Sequence, residues 1–65
     1  MKASTRDHIR ALQHRAATLN ARAAEACHTA EANPSKRMDA MRALKKADRF
    51  MNRAARTIEI LAEDG

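Results

Sequence analysis

Residues 9–30 read IRALQHRAATLNARAAEACHTA, and residues 40–61 read AMRALKKADRFMNRAARTIEIL. Each stretch has apolar residues at alternating steps of three and four. The first set is Ile9, Leu12, Ala16, Leu19, Ala23, Ala26 and Ala30, and the second set is Ala40, Leu44, Ala47, Met51, Ala54, Ile58 and Leu61. An α-helix aligns such positions along one narrow stripe, which is the pattern of a coiled-coil seam. The sequence therefore predicts one long helix in each half of the chain.

The two stripes fit together if the chain folds back on itself at Pro34. Each layer then pairs one small residue with one large residue, which fills space without voids. One register serves every layer, because the residue numbers in each pair sum to 66 or 67. The predicted pairs are Ala23 with Leu44, Leu19 with Ala47, Ala16 with Met51, and Leu12 with Ala54. The predicted fold class is therefore all-α, an antiparallel two-helix hairpin with an alanine-rich seam.

Capping and helix-breaking residues set the predicted bounds within a single domain. The predicted bounds are 4–32 for helix one, 33–35 for the turn and 35–62 for helix two. Ser4 and Asp7 form an S-x-x-D pattern that can satisfy free backbone N–H groups at the start of helix one. Pro34 disfavours helical geometry in Asn33, so helix one ends there. Either Asn33 or Ser35 can cap helix two, and so short a connection forces antiparallel neighbours.

The size of the chain predicts a partner. Two helices alone have only one contact face, and folds of 65 residues usually depend on disulfides, a metal ion or another chain. Cys27 is the single cysteine, so no internal disulfide can form. We therefore expect a homodimer in which two hairpins form a four-helix bundle.

The sequence leaves two dimer arrangements open. In the first, a second stripe on helix one packs antiparallel against the same stripe of another copy. This alanine stripe consists of Arg10, His14, Ala17, Ala21, Ala24, His28 and Glu31. It is nearly symmetric about Ala21, so Ala17 would face Ala24 across a two-fold axis and the two histidines would approach each other. In the second arrangement both seams join one core, widened on helix two by Met41, Ala43 and Phe50.

The outer face of helix two is strongly basic. Six residues at spacings of three, one, three, four and three form a basic ridge: Arg42, Lys45, Lys46, Arg49, Arg53 and Arg56. Residues 35–57 contain eight basic residues and two acidic ones, a local net charge of +6. A ridge of this kind can follow a phosphate backbone, and a charged face also keeps an alanine-rich bundle soluble.

Two classes of function fit this ridge. The first is a regulatory protein that binds structured RNA or duplex DNA. Because Phe50 is the only aromatic residue, such a protein would contact phosphates and read shape rather than stack on unpaired bases. The second is an interaction module, such as an adaptor, an inhibitor or an antitoxin-like subunit, that docks an acidic protein.

Other classes find no support in the sequence. His14 and His28 lie about 20 Å apart along one helix, too far to share a metal ion. No catalytic constellation or phosphate-binding glycine loop is visible, so we expect a non-enzyme without a metal, cofactor or small-molecule substrate. No apolar run has the length of a membrane span, and the free cysteine suits a reducing compartment. We therefore expect a cytoplasmic protein that does not bind membranes.

In its length, its hairpin topology and its alternation of small and large core residues, the chain resembles the Rop family. Rop-type proteins are small plasmid-encoded helical hairpins that dimerise into a four-helix bundle and clamp paired RNA loops. The resemblance concerns architecture, because one fold serves many functions. RNA contacts in that family lie on helix one, whereas the basic ridge here lies on helix two.

Overall fold

The computed structural model describes residues 2–64, which form two helices packed against each other. Helix α1 covers Ala3–Ala32, a single 3₁₀ turn covers Pro34–Lys36, and helix α2 covers Arg37–Asp64. The Cα atoms extend over 46 × 15 × 10 Å, so the hairpin is as long as one helix and as wide as two. The predicted all-helical hairpin is confirmed. Neither helix in this part of the chain has an apolar stretch long enough to cross a bilayer.

Helix α1 begins without a side-chain cap. Lys2 occupies the capping position, and its carbonyl accepts a hydrogen bond from the backbone N–H of Arg6 at 3.0 Å. Ser4 lies inside the first turn, so its predicted capping role is wrong. A cap contributes only about 1 kcal/mol. Ala3, which belongs to the best helix-forming residue type, extends the helix by one residue instead.

Asn33 organises the connection between the helices. Its backbone is extended, and its N–H donates to the carbonyl of Thr29 at 2.9 Å, which ends α1. Its Oδ1 accepts hydrogen bonds from the Ser35 N–H at 3.2 Å and from the Ser35 hydroxyl at 2.7 Å. Asn33 is therefore the capping residue, and Pro34 occupies the first position of the 3₁₀ turn, where no N–H is needed.

The buried core is small and consists mostly of alanine. The buried residues are Leu19, Ala23, Ala40, Ala47 and Ala54. Leu19, Ala23 and Ala47 form one cluster, so the predicted Leu19–Ala47 layer is confirmed. The other positions of the predicted seam on α1 are all half-buried. The stripe read from the sequence therefore gives the correct face of α1.

The seam of α2 differs from the prediction. Leu44 is 47% exposed and Met51 is 37% exposed, whereas Ala43 and Phe50 pack against the core cluster. The predicted layers that contain Leu44 and Met51 are therefore wrong. Two heptad registers share Ala40, Ala47 and Ala54, and α2 adopts the register that places Ala43 and Phe50 between them. The aromatic ring of Phe50 has more apolar surface to bury than either alternative side chain.

Candidate nucleic-acid interface

All six residues of the basic ridge are exposed in the structure. The helix explains their alignment, because Arg42, Arg49 and Arg56 recur at heptad steps, as do Lys46 and Arg53. From Arg42 to Arg56 the ridge is about 21 Å long at 1.5 Å per residue. The structure therefore presents the predicted cations as one continuous surface.

Helix α1 adds Arg15 to this surface, a cation that was not predicted from the sequence of helix two. Arg15 and all the ridge residues except Arg56 line a shallow groove of about 450 Å³ between the two helices. Leu19 and Phe50 also line the groove and give it an apolar floor. The sequence contained a signal for Arg15, because it directly precedes a seam residue and such flanking positions face the neighbouring helix. Arg22, seven residues further along, lies on the same side of α1 and is exposed.

The cations of the ridge have no carboxylate partners. Among the residues that the structure describes, only His28 and Glu31 bring groups of potentially opposite charge within 4 Å, at 3.8 Å. Asp39 and Glu59 flank the ends of the ridge in the sequence, Asp48 lies within its span, and none of the three forms an ion pair with it. The ridge cations therefore have no direct ion-pair partner and attract dissolved anions, which an anionic ligand can replace.

The residues predicted for a dimer contact have three different environments. Ala17, Ala21 and Ala24 of the alanine stripe are exposed on α1. Met41 is exposed on α2. Ala43 and Phe50 are half-buried and pack against the core cluster of the hairpin.

No metal-binding arrangement is present in residues 2–63, where no three side chains of histidine, cysteine, aspartate or glutamate come together. Comparison of the chain with protein-family models, with curated proteins and with solved structures finds no match. Function is therefore inferred from the positions and charges of the side chains.

Proposed function

We propose that this protein is a small nucleic-acid-binding regulatory protein, rather than an enzyme, and that it binds structured RNA or duplex DNA through the basic ridge. The observation that carries this proposal is a line of six exposed cations without an acidic partner within 4 Å. Isolated helices usually intersperse acids among their bases, because like charges at i,i+3 and i,i+4 destabilise the helix. An anionic partner relieves that repulsion.

The dimensions of the ridge suit a phosphate backbone. Its length of about 21 Å corresponds to about six base-pair steps along the axis of a duplex at 3.4 Å per step. The side chains are arginine and lysine, which neutralise phosphates without reading bases from the backbone side. Phe50 is half-buried against the core, so it offers little ring surface for base stacking. The proposed ligand is therefore a folded or double-stranded nucleic acid rather than an unstacked single strand.

The proposed working form is a cytoplasmic homodimer with four helices, the architecture that the Rop resemblance implies. Its support is the size of the core, since four of the five buried residues are alanines. Alanine offers little apolar area, and a single pair of helices of this size is marginal without additional burial. The free thiol of Cys27 suits a reducing compartment.

Charge reversal on the ridge tests the proposal. The double substitution Arg49→Glu with Arg53→Glu should abolish binding to duplex RNA or DNA at low salt, because it replaces two attractive contacts with repulsive ones. For the unmodified protein, the logarithm of the binding constant should fall by several units per tenfold rise in salt. Fluorescence anisotropy gives the affinities, and circular dichroism checks that helicity is unchanged.

The matched control is Lys2→Glu with Arg6→Glu. These residues are exposed and four positions apart, like Arg49 and Arg53, but they lie on the other helix, at the N-terminal end of α1. Both double variants change the net charge from +5 to +1, since each reversal subtracts two charges. Retained binding in the control and loss in the ridge variant would support a local site. A salt-independent affinity, or equal loss in both variants, would contradict the proposal.

One observation favours a second candidate, the docking of an acidic protein. The groove beside Arg15 has an apolar floor of Leu19 and Phe50 and a cationic rim, which suits an acidic amphipathic helix. Such a partner would be recovered in a fixed ratio from nuclease-treated lysate. If the protein instead binds nucleic acid through phosphate contacts, nuclease treatment should abolish the recovery of any partner from the lysate.

A further inference from the structure

A row of large apolar side chains on α2 is only partly covered in the hairpin, with Leu44 and Met51 exposed and Ile58 half-buried. Leu44, Met51 and Ile58 recur at heptad steps and form a straight line along the helix. Leu44 and Met51 are substantially exposed, and Met41 lies beside them. Cys27, Met41 and Leu44 line a shared depression of about 330 Å³ near the turn, and the charged residues Glu31 and Arg37 also border it. We call this surface the apolar side.

The apolar side and the basic ridge lie on opposite sides of the hairpin. Met51 and Arg42 are nine residues apart, which is about 2.5 helical turns, so their side chains point in opposite directions. The two interhelical depressions confirm this separation. One is lined by Arg15 and most of the ridge, and the other by Cys27, Met41 and Leu44.

We infer that a second copy of this chain covers the apolar side, and that the resulting dimer bridges two nucleic-acid segments, one on each outer basic ridge. A whole broad side of the hairpin measures 46 Å by 15 Å between Cα atoms, about 700 Å², and the apolar row covers part of it. A standard interface buries roughly 600–1,000 Å² per partner, so a contact over the whole broad side reaches the standard range. The bridging part of this inference rests on the proposed function.

The charged residues near the apolar row indicate that the molecule covering the apolar side is a second copy of this chain. Arg10 and Glu31 lie at opposite ends of the exposed alanine stripe, equally far from Ala21 to within one residue. A two-fold axis that crosses the hairpin at the level of Ala21 therefore places each arginine near the glutamate of the other copy. Leu19 and Ala23 of α1 pack with Ala43 and Ala47 of α2. The segment of α2 between Ala43 and Ala47 therefore lies at the same level along the hairpin as Ala21. Leu44 then lies at the level of the two-fold axis, near the centre of the contact, where the residues that contribute most binding energy cluster.

The orientation of the two copies follows from this contact. If the apolar sides face each other, each basic ridge points outward, away from its counterpart. Mutual repulsion of the ridges is then minimal, and each ridge remains free to bind a separate duplex. One dimer therefore has two equivalent binding surfaces, and a mixture of dimer and duplex can form cross-linked assemblies.

The dimer contact is tested with two neutral double variants. Leu44→Gln with Met51→Gln removes the apolar row, and Met38→Gln with Ile60→Gln is the control. Met38 is 59% and Ile60 is 54% exposed, and both lie away from the apolar side. In sedimentation, the first variant should raise the Kd of self-association about a hundredfold or more, and the control should match the unmodified protein.

Cys27 provides an independent readout of the same contact, because it is the only thiol and lines the apolar side. Its reaction with a maleimide should slow as protein concentration rises through the dimerisation range, and the L44Q/M51Q variant should lose this protection. A monomer at micromolar concentration would overturn the inference. So would equal self-association of both variants.

Bridging is tested with two duplexes of about 20 base pairs, roughly 68 Å long at 3.4 Å per pair. One duplex is immobilised, and the other carries a fluorophore. The unmodified protein and the M38Q/I60Q variant should retain the labelled duplex, whereas L44Q/M51Q should bind single duplexes without bridging. Dimers that bind one duplex but never retain the second would overturn the bridging. Absence of any duplex binding would overturn the proposed function as well, while sedimentation and thiol reactivity would still decide the dimer contact.

Discussion

Arg15 extends the candidate interface from one helix to two. It is exposed, lies one helical turn before Leu19, and shares the interhelical groove with the ridge on α2. A strand of phosphates resting on α2 would therefore also meet a guanidinium from α1. Guanidinium groups bind phosphate in a bidentate manner, so this position favours specific docking over loose attraction.

We predict that Arg15→Ala weakens duplex binding and lowers the salt-dependence slope by about one unit, as expected for the loss of one phosphate contact. Arg6→Ala removes the same charge from an exposed position near the start of α1 and is the control. Anisotropy titrations at two or more salt concentrations measure both slopes. Equal slopes for the two variants would show that Arg15 acts only through the net charge.

At the scale of the elements, the rotation of α2 about its own axis decides what each side of the hairpin presents. The same alanines serve either heptad register, so the helix can face α1 with Ala43 and Phe50 or with Leu44 and Met51. The structure takes the first choice. This rotation buries the aromatic ring, leaves the aliphatic row exposed on one side and directs the basic ridge to the other.

We predict that Phe50→Ala destabilises the hairpin more than Met51→Ala, by about 1 kcal/mol or more. Truncating a large side chain that packs on the core cluster costs more than truncating one at the exposed edge of the seam. Urea denaturation followed by circular dichroism measures the free energy of unfolding. It is performed at protein concentrations below the dimerisation range, where Met51 has no partner. A larger loss for Met51→Ala would indicate the alternative register.

At the scale of the whole molecule, charge is distributed unevenly over a small core. The net charge is +5, and the six ridge cations lie along a single face. None of them is paired with a carboxylate in the part of the chain that the structure describes. Their mutual repulsion therefore opposes folding, and the short alanine seam supplies little apolar area to offset it.

We predict that sodium chloride raises the thermal midpoint of the protein without any ligand. The Debye length falls from about 10 Å at 0.1 M to about 3 Å at 1 M, which screens neighbouring charges on the ridge. The Arg49→Glu with Arg53→Glu variant should show a flatter response, because its ridge carries charges of both signs. Thermal scans at fixed protein concentration test this, and a midpoint that falls with salt would mean that attractive pairs dominate.

The sequence by itself determined the helical hairpin, the break at Pro34, the buried face of α1 and the row of cations on α2. These features follow from local periodicity and from the backbone restrictions of proline, which act within a few residues. Only the tertiary structure decided that Asn33 is the cap, that Phe50 rather than Met51 enters the seam, and that Arg15 joins the ridge. Each of these depends on how one element is rotated or placed against another. Two heptad registers with the same alanines are nearly equivalent in sequence, and the packing of the larger side chain separates them.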